Sequence, residues 1–88
     1  MNNKMEHPGV YIRKELEERG WSQVDLACIL NCHAQTVNMI ISGKRGISVN
    51  MARALGVAFG VSAELFINLQ RMYDLSNKFM LDKQSTIA

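Results

Sequence analysis

The side chains with chemistry to offer in this chain are mostly amides and cations, and they gather in its middle. Gln35, Thr36 and Asn38 fall close together, Gln23 lies upstream, and Lys44-Arg45 follow. A carboxamide can accept from adenine N6 while donating to N7, so Gln and Asn suit the reading of base edges. Cations suit phosphate oxygens. His33 is open to a phosphate contact, and Ala34 stands beside it. Met39 can meet a thymine methyl or simply fill a gap. The plainer reading is that polar residues such as Gln35 and Asn38 occur on any exposed helix.

Other chemistries find less support. Cys28 and Cys32 have His33 beside them and His7 far upstream. A zinc site needs four ligands in tetrahedral array, usually as two close pairs, and here the second pair would be two isolated histidines. The thiols read as reduced and structural, with no metal and no cofactor. No Ser–His–Asp or Cys–His–Asn arrangement is legible, and no glycine-rich phosphate loop follows a strand. Glu15, Glu17 and Glu18 read as a solvated helix face. The expectation is a binding module, not an enzyme.

Eighty-eight residues, 48% apolar and 20% charged, suffice for one folded domain. No uncharged apolar stretch approaches the ~20 residues that span a bilayer. Met1 to Glu6 lead into no apolar segment of a secretory signal. These features predict a cytoplasmic domain with no membrane contact. The net charge is only +2, but from Leu26 through Ala63 no acidic residue occurs, while Lys44, Arg45 and Arg53 do. Such a span suits a face that meets a polyanion.

The elements that must position these residues are helices. Pro8 suits the first turn of a helix that Gly20 ends, with Val10, Ile12 and Leu16 inward. Ser22 and Asp25 form a capping box ahead of a short helix that buries Leu26, Ala27, Ile29 and Leu30. Asn31 suits a left-handed turn. A third helix runs from about Ala34 to Ser42, with Val37, Ile40 and Ile41 inward. Ser48 opens a fourth, with Met51, Ala52, Leu55 and Phe59 inward; Gly56 weakens its interior and Gly60 ends it. Ser62 caps a fifth. There Leu65, Phe66, Ile67, Leu69, Met72, Tyr73 and Leu75 cover more than one face. That surplus either wraps back over the bundle or meets a second subunit.

Two short helices joined through Leu30-Asn31-Cys32-His33 are the physical content of a helix-turn-helix. Ala27 is small where the helices cross, and Val37 fills the angle between them. In such a unit the third helix enters the major groove, with Gln35 and Asn38 toward base edges and Gln23 toward a phosphate.

The segment from Trp21 to Arg45 resembles the Xre-type helix-turn-helix of lambdoid phage repressors. HPG at 7–9, ELEERGWSQ at 15–23, QTVNMIISGKRGIS at 35–48 and FINLQRMYDL at 66–75 resemble the HigA family of antitoxins. The resemblance implies an all-α, five-helix, lambda-repressor-like bundle with an extended C-terminal helix. It places the domain at 7–79, with a dimerisation helix at 62–78 between a flexible 1–6 and a tail at 80–88. It implies an antitoxin that, as a homodimer, binds an inverted-repeat operator in double-stranded DNA and represses its own operon. It also implies a partner, a small basic ribonuclease toxin that cleaves messenger RNA and is silenced by the complex. The acidic run Glu15, Glu17, Glu18 is a candidate dock for it.

Gln23, Gln35, Thr36, Asn38, Lys44 and Arg45 match the family's DNA-facing positions; Phe66, Leu69, Met72 and Tyr73 are the dimer contacts expected on the last helix. The chain departs from the family at His33, which replaces the usual Ser cap, and at Ala34, where Arg is common. The alternative is a stand-alone Xre-type transcriptional repressor, of phage derivation, without a toxin.

Overall fold

The computed structural model describes the backbone of residues 6–87 and the side chains of residues 6–77. Five helices follow one another: α1 (Pro8–Arg19), α2 (Gln23–Leu30), α3 (Ala34–Ile41), α4 (Val49–Phe59) and α5 (Ala63–Ile87). No strand forms among the described residues.

Local chemistry sets most of the boundaries. His7 caps α1 through Nδ1, which accepts the Gly9 N–H at 3.0 Å, and Gly20 ends the helix in the left-handed region at φ 69°. The α2 box closes in both directions: Ser22 Oγ accepts the Asp25 N–H at 3.0 Å, and Asp25 Oδ2 accepts the Ser22 N–H at 2.9 Å. Asn31 takes the left-handed turn at φ 55°. His33 stands at the α3 N-cap without a side-chain capping bond. Ser48 caps α4 through the Met51 N–H, and Ser62 Oγ accepts the Glu64 N–H at the start of α5.

The helices close around Ile12 and Leu16 of α1, Leu26 and Ala27 of α2, Val37, Ile40 and Ile41 of α3, Ile47, then Ala52, Leu55 and Phe59 of α4 and Phe66 of α5. Trp21 stacks on Phe59 at 5.9 Å as a lid. The Arg19 guanidinium lies over both rings and donates to the Phe59 carbonyl at the end of α4.

Four details differ from the sequence expectation. Ile29 is exposed, because two-turn α2 leans on its neighbours through Leu26 and Ala27, with Leu30 half-buried beside them. Gly56 is buried: a Cβ there would stand 2.7 Å from the Val61 carbonyl, so its absence lets the α4–α5 turn fold tightly. The α5 backbone stays helical to Ile87, through the stretch read as a tail. Phe66 is fully buried, its ring in edge contact with Tyr11 at 5.5 Å and tilted against Phe59 at 6.2 Å. It lies in the core of a single chain, where the expectation had placed it in a dimer contact, and with Ile67 and Leu69 it pins α5 to the bundle. The expected flexibility of residues 1–5 lies outside the described residues.

Candidate nucleic-acid interface

Between α2 and α3 the chain bends by 115°, within the range of helix-turn-helix units. Three residues make the bend. Asn31 reverses the chain, while Ala27, 4% exposed, and Val37, 1% exposed, fill the crossing. With Val37, Ile40 and Ile41 turned inward, the opposite side of α3 is left to Ala34, Gln35 and Asn38, all exposed, with Thr36 and Met39 half-buried at its edges.

Gln23, in the first turn of α2, reaches this surface. Its Oε1 accepts from Asn38 Nδ2 at 3.2 Å, an amide pair that bridges the two helices across their open side. Each amide keeps hydrogen-bonding capacity beyond that bond. Because Ser22 and Asp25 satisfy each other, the Gln23 and Val24 N–H groups stand at the open end of α2, where backbone donors suit a phosphate oxygen.

Lys44 and Arg45 are carried to the same region by the backbone. Their N–H groups both donate to the Met39 carbonyl, at 2.9 and 3.2 Å, so the chain folds back over the end of α3. Gly43 permits the reversal at φ 81°. Both cations are exposed. The structure thus brings Gln23, Gln35, Asn38, Lys44 and Arg45 around one helix, with His33 and Ala34 at its exposed start. Cys28 is exposed on α2 and Cys32 half-buried in the turn; both are free thiols. Among the described residues no group of three His, Cys, Asp or Glu gathers as a metal site.

The expected dimer residues separate on α5. Leu69 is half-buried against the core and Tyr73 lies edge-on to His7 at 4.8 Å. Met72 is 47% exposed, and Leu75, counted in the apolar surplus of this helix but not among the expected dimer contacts, is 59% exposed. The signal for Leu75 was its i,i+3 spacing from Met72. Leu75, Val49 and Ile67 line a shallow groove between α5 and the start of α4. On α1, Glu15 is tied to Arg19 at 3.1 Å, while Glu17 and Glu18 stay exposed.

The titration of His7 is shifted. Burial lowers its pKa below the ordinary 6.5, against the opposing pull of Asp74 and the Arg45 main chain. The folded state thus favours neutral imidazole, as a cap that accepts the Gly9 N–H requires. The unfolded chain binds the proton more readily, so this stability is full above pH 6.5 and is lost as pH falls through the lowered folded-state value. The melting temperature is expected to drop between pH 7.5 and 5.5, and to drop less in His7→Asn, which keeps a capping acceptor without the titration. An identical pH slope in both proteins would remove His7 from the account.

The model of the family described as Helix-turn-helix matches residues 12–66. Virulence-associated protein A' of Dichelobacter nodosus is 41% identical over 80% of this chain, which spans 62% of that relative's length. The solved structure of Pseudomonas aeruginosa antitoxin HigA with the higBA promoter is 38% identical, covers 94% of this chain and 91% of its own, and superposes with a TM-score of 0.88. Antitoxin GraA in complex with its operator is 32% identical over 99% of this chain and 91% of its own, with a TM-score of 0.83.

Proposed function

Because this chain belongs to the helix-turn-helix family and, within it, to the HigA-type antitoxins, we propose that it is a DNA-binding antitoxin that represses its own operon and neutralises a ribonuclease toxin. The observation that carries the DNA reading is the Gln23–Asn38 amide pair on the open side of α3, flanked by Lys44 and Arg45. In this reading α3 enters the major groove, and Gln35 and Asn38 meet base edges. The first turn of α2 and the two cations hold the phosphates on either side. Thr36 and Met39 border the contact, and His33 and Ala34 enter the groove first.

A homodimer binds an inverted repeat whose half-sites lie about one helical turn, ~34 Å, apart. Met72 and Leu75, with Val49 beside Leu75, supply the apolar face for the second copy. Exposed Glu17 and Glu18 offer negative charge to a small basic toxin.

The test is a titration of labelled promoter duplex at several salt concentrations. The logarithm of affinity falls linearly with the logarithm of salt, and Lys44→Ala/Arg45→Ala flattens the slope by about 0.9 for each phosphate contact removed. A dimer carries each contact twice. Binding indifferent to salt, or a full slope in that variant, would refute the interface. For the partner, the chain is co-expressed with the small basic protein of a neighbouring reading frame. Co-elution and restored growth support the antitoxin reading. A neighbour that stays toxic and separate leaves a repressor without a toxin.

A further inference from the structure

Two motifs of the sequence have no part in the interface described so far: His7-Pro8-Gly9 and the Gln70…Tyr73-Asp74 stretch of α5. Both converge on the loop between α3 and α4. Gln70 Oε1 accepts the Ile47 N–H at 2.8 Å, and Gln70 Nε2 donates to Asp74 Oδ1 at 2.9 Å. The amide lies flat against Gly46: a Cβ there would stand 3.2 Å from Gln70 Cδ and Nε2 and 3.3 Å from Oε1. A side chain at position 46 would press on this amide. Ile47 is itself buried in the core. Next to the loop, Gly9 packs against the end of α3, where a Cβ would meet the Ile41 carbonyl at 2.8 Å. His7, on Tyr73, lines one cleft with Lys44, Arg45, Gln70 and Asp74.

The loop bearing Lys44 and Arg45 is therefore held at both ends, by the Met39 carbonyl of α3 at one and by the Gln70 amide of α5 at the other. A cation on a loose loop loses conformational freedom when it docks on a phosphate; one on a fixed loop has lost it on folding. We propose that Gln70, oriented by Asp74, is a positioning residue for DNA binding, holding the Gly43–Ser48 loop so that Lys44 and Arg45 are set for the phosphate backbone before the duplex arrives. This rests on the reading of those two cations as phosphate contacts.

Four proteins test it: Gln70→Ala, Lys44→Ala/Arg45→Ala, the combination of all three changes, and the exchange Gln70→Glu/Asp74→Asn. The readouts are amide hydrogen exchange at Ile47 and affinity for the promoter duplex. Gln70→Ala is expected to speed exchange at Ile47 and lower affinity about ten-fold, a size typical of a few side chains left to be ordered on binding. On the Lys44→Ala/Arg45→Ala background the same change costs little, because the groups it positions are gone.

The exchanged pair reverses one hydrogen bond: the new carboxylate still accepts from Ile47 and now also from the new asparagine amide. It is expected to restore both protection and affinity, which a general loss of folding would not allow. Unchanged exchange at Ile47 in Gln70→Ala overturns the proposal. So does an equal loss of affinity with and without the cations, or an exchanged pair that folds yet binds poorly. If Lys44→Ala/Arg45→Ala binds with wild-type affinity and salt slope, the interface itself is misassigned and the proposal falls with it. That outcome is distinguishable because exchange at Ile47 still reports the clamp.

Discussion

An Asn38→Ala protein is expected to bind its operator about 2–6 kcal/mol more weakly than the wild type, since one base-reading carboxamide contributes about 1–3 kcal/mol and a dimer presents it twice. The loss falls on specificity. Lys44, Arg45 and the first turn of α2 are untouched, so affinity for unrelated duplex changes little and the salt slope stays the same. In the free protein Asn38 Nδ2 donates to Gln23 Oε1 at 3.2 Å, which holds the amide in place before a base pair is met. Gln23→Ala alone should therefore cost part of the same energy, and the two changes together less than their sum. Fluorescence anisotropy with operator and scrambled duplexes at one salt concentration reads both effects. Equal weakening on the two duplexes would move Asn38 from the base edges to the backbone contacts.

Phe66→Ala carries the largest expected cost in stability, about 3–5 kcal/mol. That is a large share of the ~5–15 kcal/mol that a domain of ordinary stability has. The ring is wholly buried and touches Tyr11 of α1 and Phe59 of α4, so truncation opens a space where three helices meet. α5 is the helix most loosened, and with it the Gln70 clamp on the α3–α4 loop. The measurement is urea unfolding at several protein concentrations. A buried position lowers the midpoint by the same amount at each concentration. A midpoint loss confined to concentrations where the wild type dimerises would return Phe66 to the subunit interface.

The parts of this molecule legible in its sequence are those where neighbours along the chain satisfy one another. The Ser22–Asp25 box, the left-handed Asn31, the Ser48 and Ser62 caps and the stops at Gly20 and Gly60 each involve residues a few positions apart. Chain-local geometry decides them whatever packs on top. The outward side of α3 followed in the same way: once Val37, Ile40 and Ile41 are inward, helical periodicity leaves Gln35 and Asn38 outward. The Gln23–Asn38 bond was only half legible. Both residues were singled out, but their meeting depends on the angle at which α2 crosses α3.

What only the tertiary structure decided concerns α5 and the contacts it makes far along the chain. Its apolar residues exceed one face, so periodicity alone could not say that Phe66 is buried while Met72 and Leu75 are exposed. The direction from which α1 and α4 approach makes that choice. Gln70 looks like any surface glutamine and Gly46 like any loop glycine until the Ile47 N–H is found bonded to the one and the other is found packed beneath its amide. Helix identity and caps are therefore properties of the sequence by itself, because a turn of helix is closed by groups within four residues. Which side of a helix is covered, and which amide holds which loop, depends on partners brought together only when the whole bundle packs.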